Sequence, residues 1–193
     1  MTVRPIPEGY HTVTPYLYIR GAARALDFYR SAFSAVELMR FPGPGGKLMH
    51  AEIKIGDSVI MLADENPQMG ARSPESYGGS ASSLCIYADN VDALFGQAVA
   101  AGAKVVRPVS NQFYGDRSGT VQDPFGHQWT ISTHTEDVAP DEMMRRFEEH
   151  MRSMPPPPPP AAPKKPAPKP AKPPAKKQPA AKAAKKPAKK KRR

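Results

Sequence analysis

One cysteine, one tryptophan and no acidic residue after Met154 bound this 193-residue chain before any motif is read. A single thiol, Cys85, permits no intrachain disulfide and no thiolate metal cage, and it suits a reducing compartment. The longest apolar run, residues 59–63, is far short of the roughly 20 residues a membrane-spanning helix needs. The first ten residues hold one Arg, two Pro and no apolar stretch of signal-peptide length. Neither secretion nor membrane insertion is expected, and the expected compartment is the cytoplasm. No Ser/His/Asp array, phosphate loop or Walker motif occurs.

The missing acids divide the chain in two. Of 28 Lys+Arg, 14 lie after Met154, whereas all 18 Asp+Glu lie before it, so residues 1–154 carry −4 and residues 155–193 carry +14. The basic part is almost wholly Pro, Ala and Lys, with no apolar residue larger than Ala or Pro. Such a segment cannot bury enough surface to offset the entropy of ordering it, which predicts disorder. Its cations, Lys164, Lys165, Lys176, Lys177, Lys185, Lys186, Lys189, Lys190, Lys191, Arg192 and Arg193 among them, point to a polyanionic partner. Nucleic acid is the expected one, held through phosphates in a sequence-independent and salt-sensitive way. The tail has no aromatic residue, so base stacking is not expected. A solubilising extension or an anionic-membrane contact is the alternative.

The acidic part contains a repeat. Shifted by 69 positions the chain lies on itself, with Tyr16-Leu17-Tyr18 meeting Cys85-Ile86-Tyr87 and Ile60-Met61-Leu62 meeting Trp129-Thr130-Ile131. A duplication of this length fixes architecture. In the first copy, residues 14–19 alternate as a strand, and Ala22, Ala25, Leu26, Tyr29 and Phe33 mark an amphipathic helix over residues 22–33. Strands follow at 37–41, 48–55 and 58–63, the last two joined by a Gly56-Asp57 hairpin. The second copy repeats the order with a strand at 83–88, a helix at 91–101 and strands at 104–108, 117–122 and 128–133. The unit is βαβββ, and the fold class is α+β, with paired modules at about 11–63 and 81–134 inside a domain of residues 1–140. An amphipathic helix within residues 141–154 places Met143, Met144, Phe147 and Met151 on one face, a stripe that suits core or a homodimer contact.

The βαβββ duplication, the run from Thr14-Pro15-Tyr16-Leu17 to Ala25-Leu26-Asp27-Phe28-Tyr29, and Gly115-Asp116-Arg117 through Asp123-Pro124-Phe125-Gly126-His127-Gln128-Trp129 resemble the vicinal oxygen chelate superfamily. Within it they are similar to the PhnB-like branch of glyoxalase/bleomycin-resistance proteins, and the tail is similar to linker-histone-type basic tails. The resemblance implies a ligand cleft between the repeats. It does not choose among the lyases, dioxygenases, isomerases and drug-sequestering proteins that share the fold.

Strand parity lines that cleft. Leu17, Ile19, Leu84, Ile86, Ile60, Leu62, Trp129 and Ile131 form the apolar sets beneath the helices, leaving Thr14, Tyr16, Tyr18, Met61, Ser83, Cys85, Tyr87 and Thr130 on the opposite, ligand-binding face. Arg117 joins them as a fork for a carboxylate or phosphate, or else pairs with a surface acid. In metal-using relatives the resemblance places His or Glu at the positions of Thr14, Met61, Ser83 and Thr130. Hydroxyls and a thioether are poor ligands for a divalent ion, so no metal and no other cofactor is expected. His50 and Glu52, two apart on one strand, are a candidate acid/base pair or two ligands of a relocated ion; otherwise they belong to a solvent-facing strand. Three functions remain open: a small-molecule-binding module tethered by its tail to nucleic acid, a glyoxalase-like lyase or isomerase, or a nucleoid-associated protein whose domain dimerises.

Overall fold

The computed structural model describes residues 3–154, so the predicted disordered tail and its cations lie outside the described residues. The alternation around Leu17 and Ile19 gives β1 (Tyr16–Ile19), whose exposure switches residue by residue. Gly21, at φ 91, turns the chain into α1 (Ala22–Phe33), a backbone angle that glycine adopts without steric cost. No side chain of α1 caps its N-terminus. Asp64 caps it from a distance, Oδ1 accepting from the Gly21 and Ala22 amides at 2.9 and 3.2 Å while Oδ2 accepts from the Leu48 amide at 2.7 Å. A carboxylate there also meets the positive end of the helix dipole.

The first module is completed by β2 (Val36–Pro42), β3 (Leu48–Ile55) and β4 (Ser58–Asp64), with Ile55 paired to Ser58 across the Gly56-Asp57 turn. A connector with a four-residue helix, α2 (Pro74–Tyr77), leads on. Glu65 ties it down, accepting from the Ser76 hydroxyl, the Ser73 amide and hydroxyl, and the Arg20 guanidinium. Those donors, Ser76 foremost, lower the Glu65 carboxyl to about 2. The second module comprises β5 (Ser83–Tyr87), α3 (Val91–Ala100), β6 (Lys104–Asn111), β7 (Asp116–Gln122) and β8 (Gln128–His134). Asn90 caps α3 through a 3.0 Å bond from the Ala93 amide.

Each module forms one four-stranded sheet, ordered β1-β4-β3-β2 and β5-β8-β7-β6. The first-to-last strand pairing is parallel in both, and the others are antiparallel. The register exposes the duplication as equivalent cross-strand rows. Tyr16, Met61, Glu52 and Met39 stand side by side across the first sheet, and Cys85, Thr130, Thr120 and Arg107 across the second.

The backs of the sheets carry the core. Leu17, Ile19, Ile60, Leu62, Trp129 and Ile131 are buried as parity requires, and Leu84 and Ile86 are partly buried against them. Full burial of one such side chain contributes about 1.5–3 kcal/mol. Aromatic rings join the modules: Trp129 lies 4.9 Å from Phe33 and 5.4 Å from Tyr29, centroid to centroid. The buried Asp123 carboxylate completes the joint. It accepts from the Tyr29 hydroxyl at 2.8 Å, the Trp129 indole at 3.0 Å, and the Phe125 and His127 amides at 2.9 Å each.

The methionine stripe is not core. In α4 (Pro140–Ser153) no residue is buried, and Met144, Phe147 and Met151 are exposed. The helix is held by its edges: Phe113 sits 5.7 Å from the Phe147 ring and 5.3 Å from His150, and Arg146 grips Glu136 with two 2.8 Å bonds.

Candidate functional site

The faces turned away from the helices hold most of the expected site residues. On the first sheet, residues 50 and 52 of β3 share a face because strand side chains alternate, and there His50 Nε2 lies 3.1 Å from Glu52 Oε1. Glu52 also accepts from the Tyr10 hydroxyl. Burial works to raise the Glu52 carboxyl, but the Tyr10 and His50 contacts outweigh it and hold the group below its ordinary range. The same contact with Glu52 pushes the Tyr10 phenol up to about 12.

An ionised carboxylate only accepts, so His50 Nε2 carries a proton. In the neutral ring Nδ1 is then the acceptor for the Tyr16 hydroxyl, 3.0 Å away. The result is a chain from Tyr16 through His50 and Glu52 to Tyr10. Tyr16 is raised above the usual phenol range, chiefly by burial, so at neutral pH it stays a donor. Its ring lies 5.1 Å from Tyr18 and 5.7 Å from His50. Tyr16 and Tyr18 also line a cavity of about 770 Å³ with Lys47, Met49, Asp64 and Met69. His50 and Glu52 are thus not a solvent-facing pair: Glu52 is buried and His50 half-buried.

On the second sheet the equivalent face carries hydroxyls. Thr130 Oγ1 is 3.1 Å from Thr120 Oγ1 and 3.5 Å from Ser83 Oγ, and Cys85 Sγ is 3.8 Å from Ser132 Oγ. Arg107 reaches over from β6, donating to Thr120 Oγ1 from Nε at 3.2 Å and Nη2 at 2.9 Å. Farther along, the Tyr87 hydroxyl donates to Asp116 at 2.9 Å, and His134 spans Asp116 and Asp137 at 2.8 and 3.0 Å. The bonds to Asp116 and Asp137 raise His134 above its ordinary value, and the Asp116 contact raises Tyr87. Ser83, Cys85 and Tyr87 line a separate cavity of about 480 Å³ with Val13, Pro15 and the Gly56-Asp57 turn.

One expected ligand-face residue lies elsewhere. Arg117 is bound to Asp92 of α3 by a 2.8 Å and a 2.7 Å bond and to Asn111 at 3.0 Å. It shares strand parity with Gly119, where an added Cβ would meet Phe95 of α3 at 2.7 Å. Both therefore face the helix layer: of the two expectations for Arg117 the pair with a surface acid is the one observed, and its placement on the ligand face is corrected. Thr14 donates to the His11 carbonyl at 3.1 Å just before β1. Tyr10, Arg107, Thr120 and Asp116 are not among the expected site residues yet belong to the two faces.

The four positions at which metal-using relatives place ligands can be tested for fit. Ser83 donates to the Gln128 carbonyl at 3.3 Å, Thr14 is committed to His11, Thr130 is engaged by Thr120, and Met61 offers only a thioether. This donor set does not fit a divalent ion, which selects carboxylate, imidazole or thiolate. Among the described residues, no group of three or more His, Cys, Asp or Glu side chains could hold a metal.

Comparison with known proteins agrees with the architecture. An uncharacterized protein of Mycobacterium bovis is 46% identical over 134 residues, covering 68% of this chain and 88% of its own length. The crystal structure of TioX from Micromonospora sp. ML1 superposes with a TM-score of 0.52 at 23% identity, over 67% of this chain and all of the other. The PhnB protein of Bacillus cereus gives a TM-score of 0.50 at 20% identity, over 64% of this chain and 99% of its own, a likeness of fold alone. Residues 10–131, which hold both sheets but for the last strand's end, match the family model, and the chain belongs to the Glyoxalase/Bleomycin resistance protein/Dioxygenase superfamily.

Proposed function

We propose that the domain binds a small organic molecule on the open face of its first sheet, without the ion used by metal-dependent relatives. The observation that carries this reading is the double role of Tyr16, which lines the 770 Å³ cavity and ends the Tyr16–His50–Glu52–Tyr10 chain. A flat apolar body fits against Tyr16 and Tyr18, while its polar group meets the Tyr16 hydroxyl. The oxygen set at Thr14, Ser83 and Thr130, already engaged in hydrogen bonds, supports metal-free binding. The basic tail then holds the domain on nucleic acid through phosphate contacts, which accounts for its 14 cations and lack of acids. Dimerisation completes the proposal, supported by exposed Leu38, Met39 and Phe41 on β2 and by the apolar stripe of α4.

A second reading, acid–base catalysis of a lyase or isomerase reaction, is favoured by the His50–Glu52 contact. A ligand O–H or C–H acid that displaces the Tyr16 hydroxyl meets an imidazole nitrogen oriented by a carboxylate, the arrangement a general base requires. A thermal-shift screen of small aromatic acids and phenols tests both readings. Compounds that stabilise the protein should lose that effect in Tyr16→Ala and His50→Ala; stabilisation unchanged in both variants sinks the assignment. A stabilising compound that is converted to product by the wild type but not by His50→Gln makes the site catalytic, and one recovered unchanged leaves it a binding site.

For the tail, nucleic-acid affinity of the full chain should fall steeply with salt and be lost in a chain ending at Met154. Equal affinity of the two would refute the tether. Sedimentation of the same two proteins reads the oligomeric state, and a monomer at micromolar concentration refutes the dimer.

A further inference from the structure

The disagreement between the second sheet's donor set and a metal ion has a direction, set by Arg107. This guanidinium has no carboxylate within ion-pair distance among the described residues, unlike Arg20, Arg30, Arg40, Arg117, Arg145, Arg146 and Arg152. It is nevertheless fixed, because Nε and Nη2 both donate to Thr120 Oγ1. A hydroxyl has two lone pairs and one proton. Thr120 uses both lone pairs on Arg107, so its proton goes to Thr130 Oγ1 at 3.1 Å. Thr130 then holds a proton whose nearest partner, Ser83 Oγ, is at 3.5 Å, the outer limit of a hydrogen bond. Ser83 directs its own proton to the Gln128 carbonyl.

The row across β6, β7 and β8 therefore ends in donors. It offers the Nη1 edge of a guanidinium, which has no partner among the described residues, and the loosely held Thr130 hydroxyl. A cation placed here would find no free lone pair on Thr120 and a fixed positive charge beside it. An oxyanion would find a fork matched to two oxygens and a hydroxyl donor. The nearest acid on the same face, Asp116, lies four residues along β7 from Thr120, about 13 Å at the usual strand rise, and is engaged by Tyr87 and His134.

We propose that Arg107, positioned by Thr120, and the Thr130 hydroxyl form an oxyanion-binding site for the carboxylate or phosphate group of a small molecule, on the face where metal-using relatives hold a cation. The site lies on the other module from Tyr16 and stands or falls independently of the ligand proposed there.

The test is an NMR titration of the full chain with methyl-labelled threonine at constant ionic strength, using inorganic phosphate in one arm and acetate in the other. Thr120 and Thr130 methyl signals should shift saturably with at least one anion, and the arm that saturates identifies the group. Arg107→Gln, a change at an exposed residue, should weaken that binding at least tenfold. Arg107→Lys should weaken it less, since it keeps the charge but not the fork. Zinc(II) should leave both methyl signals in place. Shifts that do not saturate with either anion, equal affinity in Arg107→Gln, or saturable zinc binding at Thr130 would each overturn the proposal. Reporting from Thr120 and Thr130 separates this site from phosphate held by the lysine tail.

Discussion

Replacing Asp123 by Ala should be among the most damaging single changes to the domain, because one carboxylate serves donors from both repeats. Its four partners are the Tyr29 hydroxyl, the Trp129 indole and the amides of Phe125 and His127. Tyr29 and Trp129 are at most 1% exposed, so water cannot readily replace the lost acceptor. Hydrogen bonds to a charged group contribute about 1.5–3 kcal/mol each, and removing one side of a buried charged cluster costs about 3–5 kcal/mol. The bonds share one acceptor and do not add, which leaves the loss at about 3–5 kcal/mol against a total of roughly 5–15 for such a domain. At about 2–4 °C per kcal/mol for this size, Tm should fall by about 6–20 °C. Tyr29→Phe removes a single donor to the carboxylate and should cost about 1.5–3 kcal/mol. Burial works to raise Asp123, but His127 and the other donors outweigh it and hold the carboxyl below its ordinary range. A depressed native pKa stabilises the fold above the unfolded value and is lost as pH falls through the native one. The gap between wild type and Asp123→Ala, measured by urea unfolding, should therefore narrow below about pH 4. An Asp123→Ala protein within about 1 kcal/mol of wild type at neutral pH would refute the hub, since that is less than one charged bond.

Two further outcomes follow from the second module. Gly115 has φ +94, and a Cβ there would stand 2.1 Å from the Glu136 carbonyl oxygen, which accepts no compromise because backbone is on both sides. Gly115→Ala should cost more than the roughly 1–3 kcal/mol of ordinary overpacking and detach the 135–139 segment, read as accelerated amide exchange at Thr135 and Glu136, whose amides donate to the Gly115 carbonyl. His134, raised by Asp116 and Asp137, contributes stability that is complete below the unfolded value of about 6.5 and is lost as pH rises through the higher native value. After correction for intrinsic rates, exchange of residues 134–137 should be faster at alkaline than at acidic pH in the wild type and independent of this change in His134→Asn; pH-independent protection in the wild type refutes the contact.

Periodicity exposed most of the fold because each sheet buries one face. The expected bounds of α1 and β3 coincide with those observed, and the apolar strand residues fall on the helix side as alternation requires, although Glu52, Ser118, Thr120 and Ser132 on the other side are buried as well. Where alternation fails, the sequence carries no face. Pro108 and two register shifts between Val105 and Ser110 interrupt β6, so alternation predicts a strand only to residue 108 and assigns Arg107 no face. An edge strand tolerates proline, and β6 is the edge of its sheet. Tyr10 comes from a segment with no period at all and meets Glu52 across 42 positions of sequence. Arg117 is different, since its parity with the buried Val121 was legible and placed it on the helix side. The amphipathic pattern of α4 was visible, but amphipathicity cannot say what covers the apolar side.

The duplication constrains the two sides of each sheet unequally. On the backs, Ile60 and Leu62 correspond to Trp129 and Ile131, all buried and all apolar; a polar replacement there would lose core packing and leave an unsatisfied group. On the open faces the same register pairs Tyr16, Met61, Glu52 and Met39 with Cys85, Thr130, Thr120 and Arg107. Packing constrains those exchanges less at the exposed ends of the rows, Tyr16 and Met39 in one and Cys85 and Arg107 in the other, while the buried Glu52 and Thr120 are satisfied by hydrogen bonds. A phenol–imidazole–carboxylate chain could therefore arise on one copy and a guanidinium–hydroxyl row on the other without disturbing the joint at Asp123. The fold is carried by what the copies kept in common, and the two proposed sites lie in the rows where they came apart.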